Sequence, residues 1–295
     1  MRNKNNIIRI IPVILVNEGK VVRAEKFLNF LPIGKLPFFL ERYGKWDLDE
    51  LCVINIGKNT TKIKTQFLNN IKKFTKTCFT PLAVGGGISS LKEADKIFKV
   101  GADRIILNGL TFSNPLEVKK ITQKYGSQSV VVSVNCLYDK KKKKYFVVKK
   151  GIIKTNLELN EWVTKLKKMG VGEVLLNNIE YDGTKKGFCI DMYLSVINDQ
   201  LPIIAVGGAS RKSDFESLLK KTNIKSIAAS NYFSFFELSY HNLKSFLEKK
   251  QLIRNSRLNF EYNSNLSDFY GLSKKEINTE EIKVWKFFDN LSFDE

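Results

Sequence analysis

Apolar residues in this chain gather in short unbroken runs, separated by stretches of helical period. Residues 7–16, 51–56, 81–84, 104–107, 129–135, 174–177, 203–206 and 225–228 are rich in Val, Ile and Leu with no polar alternation. That is the pattern of strands buried on both faces, as in a parallel sheet. Helical periodicity covers about 62–76, 91–100, 115–125, 157–169 and 235–249. Two stretches break the rhythm. Residues 20–46 exceed a βα loop plus a short helix, and long segments of this kind act as lids or binding segments. Residues 137–150 read as a hairpin whose tip is the lysine run 140–144.

The runs repeat. Pro81-Leu-Ala-Val-Gly-Gly-Gly is echoed by Pro202-Ile-Ile-Ala-Val-Gly-Gly, and Gly85 precedes Asn108 by the same interval as Gly207 precedes Ser230. Upstream, Glu50-Leu-Cys-Val-Ile-Asn-Ile is matched by Glu173-Val-Leu-Leu-Asn-Asn-Ile, and both continue to a Thr-Lys pair, Thr61-Lys62 and Thr184-Lys185. A duplicated half with four βα units predicts an α/β fold, a (β/α)8 TIM barrel of two half-barrels over about residues 1–256. The competing arrangement is an open doubly wound sheet, which also places glycines after strands. Residues 257–295, with Trp285, Phe287 and Phe288 in a polar context, read as a C-terminal extension docked on the barrel or on a partner.

Glycines between a strand and a helix let backbone N–H groups converge on an anion, and the helix N-terminus adds partial positive charge. The repeat yields two such cradles on opposite sides of one barrel mouth, Gly87 with Asn108 and Gly109, and Gly208 with Ala229, Ser230 and Gly183. They suit a metabolite with a phosphate at each end, although tight turns also use paired glycines.

Composition adjusts this picture only slightly. The net charge of +19 raises nucleic acid as a partner, but the lysines are spread over nearly every predicted helix, which favours a solvated surface that attracts anions. Four scattered cysteines and one histidine, His241, give no metal-ligand spacing, so neither metal nor cofactor is expected. No apolar run has the length of a membrane span and no signal-peptide pattern opens the chain, which points to a cytoplasmic protein.

Over about residues 7–250 the chain resembles the HisF family, the cyclase subunit of imidazole glycerol phosphate synthase. The resemblance rests on Arg9-Ile-Ile-Pro12, Val84-Gly-Gly-Gly-Ile88, Gly101-Ala-Asp103, Asn108, Gly126-Ser-Gln-Ser-Val-Val-Val132, Asp182-Gly-Thr184, Gly187 and the Pro202–Ala209 run. It implies two phosphate sites and a glutaminase partner whose ammonia enters the bottom of the barrel. It implies a gate at Arg9, Glu50, Arg104 and Glu173, with Asp103 and Gln128 at the glutaminase-facing end. The chain departs from the family at the top. The positions of the two central acid/base carboxylates hold Leu15 and Asn135, a strand-two aspartate is Asn55, and Glu180 and Asp182 are the carboxylates left nearby.

A leucine transfers no proton, and a neutral amide is a poor base near pH 7. With its first strand Ile14-Leu15-Val16 the chain resembles in particular the HisF-like subunits associated with bacterial surface-polysaccharide pathways, and that resemblance implies an ammonia-channelling subunit serving a glutaminase and a sugar amidotransferase that makes an acetamidino group. The alternatives are a working cyclase of histidine synthesis using Asp182, Asn135 or Glu180, and a non-catalytic anion-binding scaffold.

Overall fold

A computed structural model describes residues 8–57, 60–149, 151, 153–196, 201–235 and 238–253. Eight strands run parallel: β1 (Arg9–Asn17), β2 (Leu51–Asn55), β3 (Leu82–Gly85), β4 (Arg104–Leu107), β5 (Val130–Asp139), β6 (Glu173–Asn178), β7 (Ile203–Val206) and β8 (Ser226–Ala229). Each pairs with the next, and β8 returns to β1 through Arg9↔Ser226 and Ile10↔Ile227. The sheet is closed with helices between its strands. That excludes the open doubly wound alternative.

Alternation within the runs, invisible when every residue is apolar, separates two cores. On β1, Ile10, Ile14 and Val16 pack outward under the helices, while Ile11, Val13 and Leu15 face the barrel interior with Cys52, Ala83, Ile106, Val131, Leu175, Ile204 and Ala228. The helices start where their side chains can satisfy free backbone donors. Ser90 accepts from the Glu93 N–H ahead of Leu91–Lys99, and Asn114 accepts from the Glu117 N–H ahead of Pro115–Tyr125.

Two insertions differ from the sequence expectation. Residues 20–46 hold a β-hairpin, Lys20–Glu25 paired with Asn29–Lys35, followed by the helix Leu36–Gly44. The hairpin extends β1 backwards through a two-residue turn in which Glu18 and Gly19 both have positive φ, the geometry that matches strand twist. The second insertion is longer than the hairpin over 137–150. β5 runs on to Asp139, pairs with Lys144–Lys149, and that strand pairs with Ile153–Glu158. The helix expected from 157 therefore begins at Leu159. The helix expected over 235–249 is the span Ser239–Lys249, after a short turn of helix at Asn231–Ser234. The C-terminal extension, 257–295, lies outside the described residues.

The first hairpin lies across the C-terminal mouth of the barrel. Val22, Ala24 and Phe30 join the interior cluster with Leu15, Ile54, Ile56 and Val206. Asn231 Nδ2 donates to the Ala24 carbonyl at 2.9 Å, and the Lys26 N–H donates to the Asp182 carbonyl at 2.9 Å. Gly183 makes this closure possible. Its φ is +70°, and a Cβ there would lie 2.2 Å from the Ala24 carbonyl oxygen.

Gly183→Ala should therefore lift the hairpin without unfolding the barrel. A clash with backbone at positive φ costs on the order of 1–3 kcal/mol, so tryptic cleavage after Lys26 should quicken roughly tenfold while the thermal midpoint of the barrel moves little. Unchanged cleavage would show that the contact does not hold the hairpin down.

Candidate functional site

At the N-terminal end of the barrel, four charged side chains from β1, the approach to β2, β4 and β6 form a closed ring. Arg9 Nη1 bonds Glu50 Oε2 at 2.7 Å and its Nη2 bonds Glu173 Oε1. Arg104 Nη1 bonds Glu50 Oε1 at 3.1 Å, and its Nη2 forms an ion pair with Glu173 Oε2 at 2.5 Å without hydrogen-bond geometry. Each guanidinium thus bridges both carboxylates, the fork geometry that makes arginine suited to paired carboxylates. Two further partners fix the arginines. Ser226 Oγ accepts from Arg9 Nε at 3.1 Å, and the Gln128 carbonyl accepts from Arg104 Nε at 2.9 Å. Ser226 was not singled out in the sequence, although it occupies the interior-facing register of β8 below Ala228.

Glu50 is the innermost member, with 3% of its side chain exposed against 30% for Arg9. Burial raises the pKa of its carboxyl, opposed by Arg104 and Arg9. For Arg104 burial acts downward, but Glu50 and Glu173 outweigh it and hold the guanidinium more firmly charged. Above the ring the interior is apolar. Cys52 is fully enclosed there, and burial keeps its thiol neutral by pushing its pKa far up.

At the C-terminal mouth the expected residues are only partly brought together. Asn135, 4% exposed, accepts at Oδ1 from Asn177 Nδ2 at 3.2 Å. Asn177 was not anticipated as a partner; it sits opposite Asn135 in the β5–β6 register. Leu15 is buried against the hairpin, directly paired with Val22. Asn55 Oδ1 accepts from the Gly57 N–H at 3.1 Å, so it shapes its own loop. The Glu180 N–H is capped by Asn178 Oδ1 at 3.0 Å. Asp182 lies under the hairpin tip, where burial raises its pKa from 3.8 to about 7, against an N–H bond from Phe27 that lowers it. One of its oxygens, Oδ2, is enclosed with no hydrogen-bond partner.

The glycine loops are strained in the expected places but serve close backbone packing. A Cβ at Gly208 would meet the Gly187 carbonyl at 2.0 Å, and the Gly187 N–H donates to the Gly208 carbonyl at 2.9 Å. Ser230 Oγ, just after Ala229 at the end of β8, is enclosed with no hydrogen-bond partner. In the other cradle Asn108 Nδ2 donates to the Ser133 carbonyl at 2.7 Å, whereas Gly109, at a helix start, faces open space; Gly87, in the loop after β3, has φ +65°. Asp103 accepts from the Leu82 N–H at 2.8 Å, fixing the start of β3 at the same end as the ion-pair ring. All four cysteines are free, and among the described residues no cluster of His, Cys, Asp and Glu is placed to hold a metal. Among the same residues no helix is long and apolar enough to cross a membrane.

The Asp182 environment gives a pH signature. Its folded pKa, about 7, lies above the unfolded value of 3.8, so the folded state binds the extra proton. The protonated form stabilises the fold below about pH 4, and this contribution is lost as pH rises to about 7. Asp182→Asn should abolish that decline and make the protein more stable than the parent at pH 8, by up to about 4 kcal/mol at 1.36 kcal/mol per pKa unit. Urea unfolding at pH 5 and pH 8 checks it; parallel pH dependence in the two proteins would refute it.

Comparison with known proteins shows the family. The family model described as histidine biosynthesis protein matches residues 9–237. The imidazole glycerol phosphate synthase subunit HisF of Clostridium botulinum (strain 657 / Type Ba4) is 34% identical over 244 residues, covering 82% of this chain and 96% of the relative. The HisF subunit of Streptococcus mutans serotype c is 31% identical over 82% of this chain and 96% of its own length. A putative imidazole glycerol phosphate synthase subunit of Vibrio vulnificus is 29% identical over 87% of this chain and 92% of its own length. The chain therefore belongs to the histidine biosynthesis protein family, as a HisF-like (β/α)8 barrel.

Proposed function

We propose that this chain is the barrel subunit of a glutamine-dependent complex: a glutaminase docked at the N-terminal face, near Asp103 and Gln128, delivers ammonia through the ring of Arg9, Glu50, Arg104 and Glu173. The observation that carries this reading is the ring joined to a neutral, apolar interior. A cation such as ammonium would lose its hydration there without compensation, whereas neutral ammonia loses little. The ring excludes bulk water because its charges cancel and each guanidinium is bonded on both sides. It opens for a small molecule if one guanidinium swings aside.

What the barrel then does with ammonia follows from the mouth. The family's proton-transfer positions hold Leu15, paired with Val22, and Asn135, bonded to Asn177. A ring closure that needs a general acid and base has lost groups commonly worth about 10²–10⁴ in rate. We therefore assign delivery of ammonia to a separate acceptor enzyme; the resemblance to HisF-like subunits of surface-polysaccharide pathways suggests a sugar amidotransferase that turns an N-acetyl group into an acetamidino group. The glycine loops near Gly87, Asn108, Gly109 and near Gly183, Gly208, Ala229, Ser230 remain suited to a phosphate-bearing metabolite.

One observation favours a second reading, a cyclase that closes the imidazole ring in histidine synthesis. Asp182, with a pKa near 7, is poised to carry a proton beneath the hairpin. Supplying purified glutaminase, glutamine and the cyclase substrate decides between them. Imidazole product at a rate comparable with the relatives, lost in Asp182→Asn, supports the cyclase; glutamine hydrolysis without it supports delivery.

The ring gives the sharper prediction. Arg104→Ala leaves Glu50 and Glu173 short of a partner, which costs about 3–5 kcal/mol for a buried pair. Glutamine hydrolysis should uncouple from amidation while added ammonium salts still support product. Arg9→Ala, at the more exposed corner, should uncouple with a smaller loss of stability. Tight coupling in both folded variants would remove the conduit role.

A further inference from the structure

We infer that the outer surface of the two hairpins at the C-terminal mouth is a docking surface for an acidic partner protein. The inference rests on the delivery reading above and identifies the partner as the sugar amidotransferase that takes the ammonia. Its basis is the placement of exposed apolar and basic side chains.

On the first hairpin Leu28 is 67% exposed at the tip and Leu31 is 58% exposed on the outward face. Leu31 stands beside Arg23 in the strand register, and the Arg23 guanidinium lies 5.9 Å from the ring centre of Phe235, itself 51% exposed. These form one patch, apolar with a cation at its centre. At the tip the Phe27 ring approaches Gly151 of the second insertion so closely that a Cβ there would lie 2.8 Å away. The patch therefore continues onto that insertion, where Ile153 is 53% exposed and Tyr138 packs against Tyr145 with ring centres 5.0 Å apart and ring planes inclined by 55°. Beyond them the turn carries Lys140 to Lys144, all exposed, with Asp139 consumed in bonding the Lys141 and Lys142 N–H groups.

Solvent alone gives no reason for exposed apolar side chains to gather on two adjoining insertions, and an exposed apolar patch rimmed by charge marks an interaction site. The sign of the rim chooses the partner. A second copy of this chain, with a net charge of +19, would bring like charges together. Nucleic acid has no use for Leu28, Leu31 and Ile153 on the contact face. An acidic protein satisfies both the lysines and the apolar patch. Docking there also covers the hairpin that closes the mouth, at the end of the barrel opposite the ion-pair ring.

The test measures binding of the purified amidotransferase to the complex of this chain and its glutaminase, at low and at physiological ionic strength. Lys140→Glu, Lys141→Glu and Lys143→Glu together should weaken binding at least about tenfold, most at low salt, through the on-rate. Leu28→Ser with Leu31→Ser should weaken it at least about tenfold at both salts. Glutaminase binding at the opposite face should not change in either variant. Parental affinity in both variants, or no binding by the parent complex, overturns the docking surface. So does binding of vesicles containing anionic phospholipid that is lost in the same variants while the amidotransferase remains bound. Amidotransferase binding that depends on these residues, with no transfer of glutamine nitrogen, upholds the surface and removes the delivery reading instead.

Discussion

Four charges enclosed at one end of a closed sheet have only one stable arrangement, and the rest of this barrel is built around it. Arg9, Glu50, Arg104 and Glu173 come from four separate strand starts, so their side chains meet only when the sheet is closed. None can be buried alone, because a single enclosed charge costs several kcal/mol. Two guanidinium forks each spanning two carboxylates leave no net charge and few unbonded oxygens. That neutrality lets an apolar interior begin directly above the ring, where Cys52, Ala83 and Ala228 keep the packing narrow and uncharged. A nearby pair supports the same end from outside: Lys244 bonds both oxygens of Asp49 at 2.7 and 2.8 Å, tying the helix Ser239–Lys249 to the segment that presents Glu50.

The opposite mouth is organised by an apolar contact. Leu15 against Val22 continues the interior upward into the hairpin, so the covering segment is held as an extension of the core. Its polar anchors lie on the loops after β6 and β8, through Asp182 and Asn231. The same closure that buries apolar surface also desolvates Asp182. Hairpin position and carboxyl ionisation are therefore linked: an ionised Asp182 favours an open, hydrated mouth, and a closed hairpin favours the proton.

Much of this was legible in the sequence because barrel strands are read as runs and their repetition fixes topology. The matched intervals around Gly85 and Gly207 located β3, β4, β7 and β8, and the resemblance assigned the four ring positions. The ring's other contacts were not legible. Ser226 is one small polar residue in an apolar strand, and nothing local distinguishes it from a solvent-facing serine until closure of β8 on β1 places it beside Arg9. Asn177 became a partner of Asn135 only through the β5–β6 register. The hairpin over 20–35 was missed because Val21-Val22 interrupts strict alternation at the register shift, and because its pairing partner is β1 itself. The glycine loops were found, but residue type alone could not separate an anion cradle from backbone packing. The carbonyl of Gly187 against Gly208 shows the packing demand to be present.

The contrast between the two ends constrains what chemistry the barrel supports. At the ring, substituting any one charge strands the others, so the four positions are held together energetically. At the mouth, Leu15 and Asn135 are each satisfied by a single neighbour, Val22 and Asn177, and neither arrangement needs a charge. A site of that kind stabilises no ionic transition state by itself; the buried carboxyl beside it is Asp182, on the loop after β6 beneath the hairpin. The interior therefore favours neutral cargo from the ring up to the mouth, and proton chemistry is confined to the rim where the hairpin, Asp182 and solvent meet. On the delivery reading proposed above, ammonia leaving such an interior is neutral and nucleophilic at the rim. Its protonation there depends on whether the hairpin or a docked protein keeps water away.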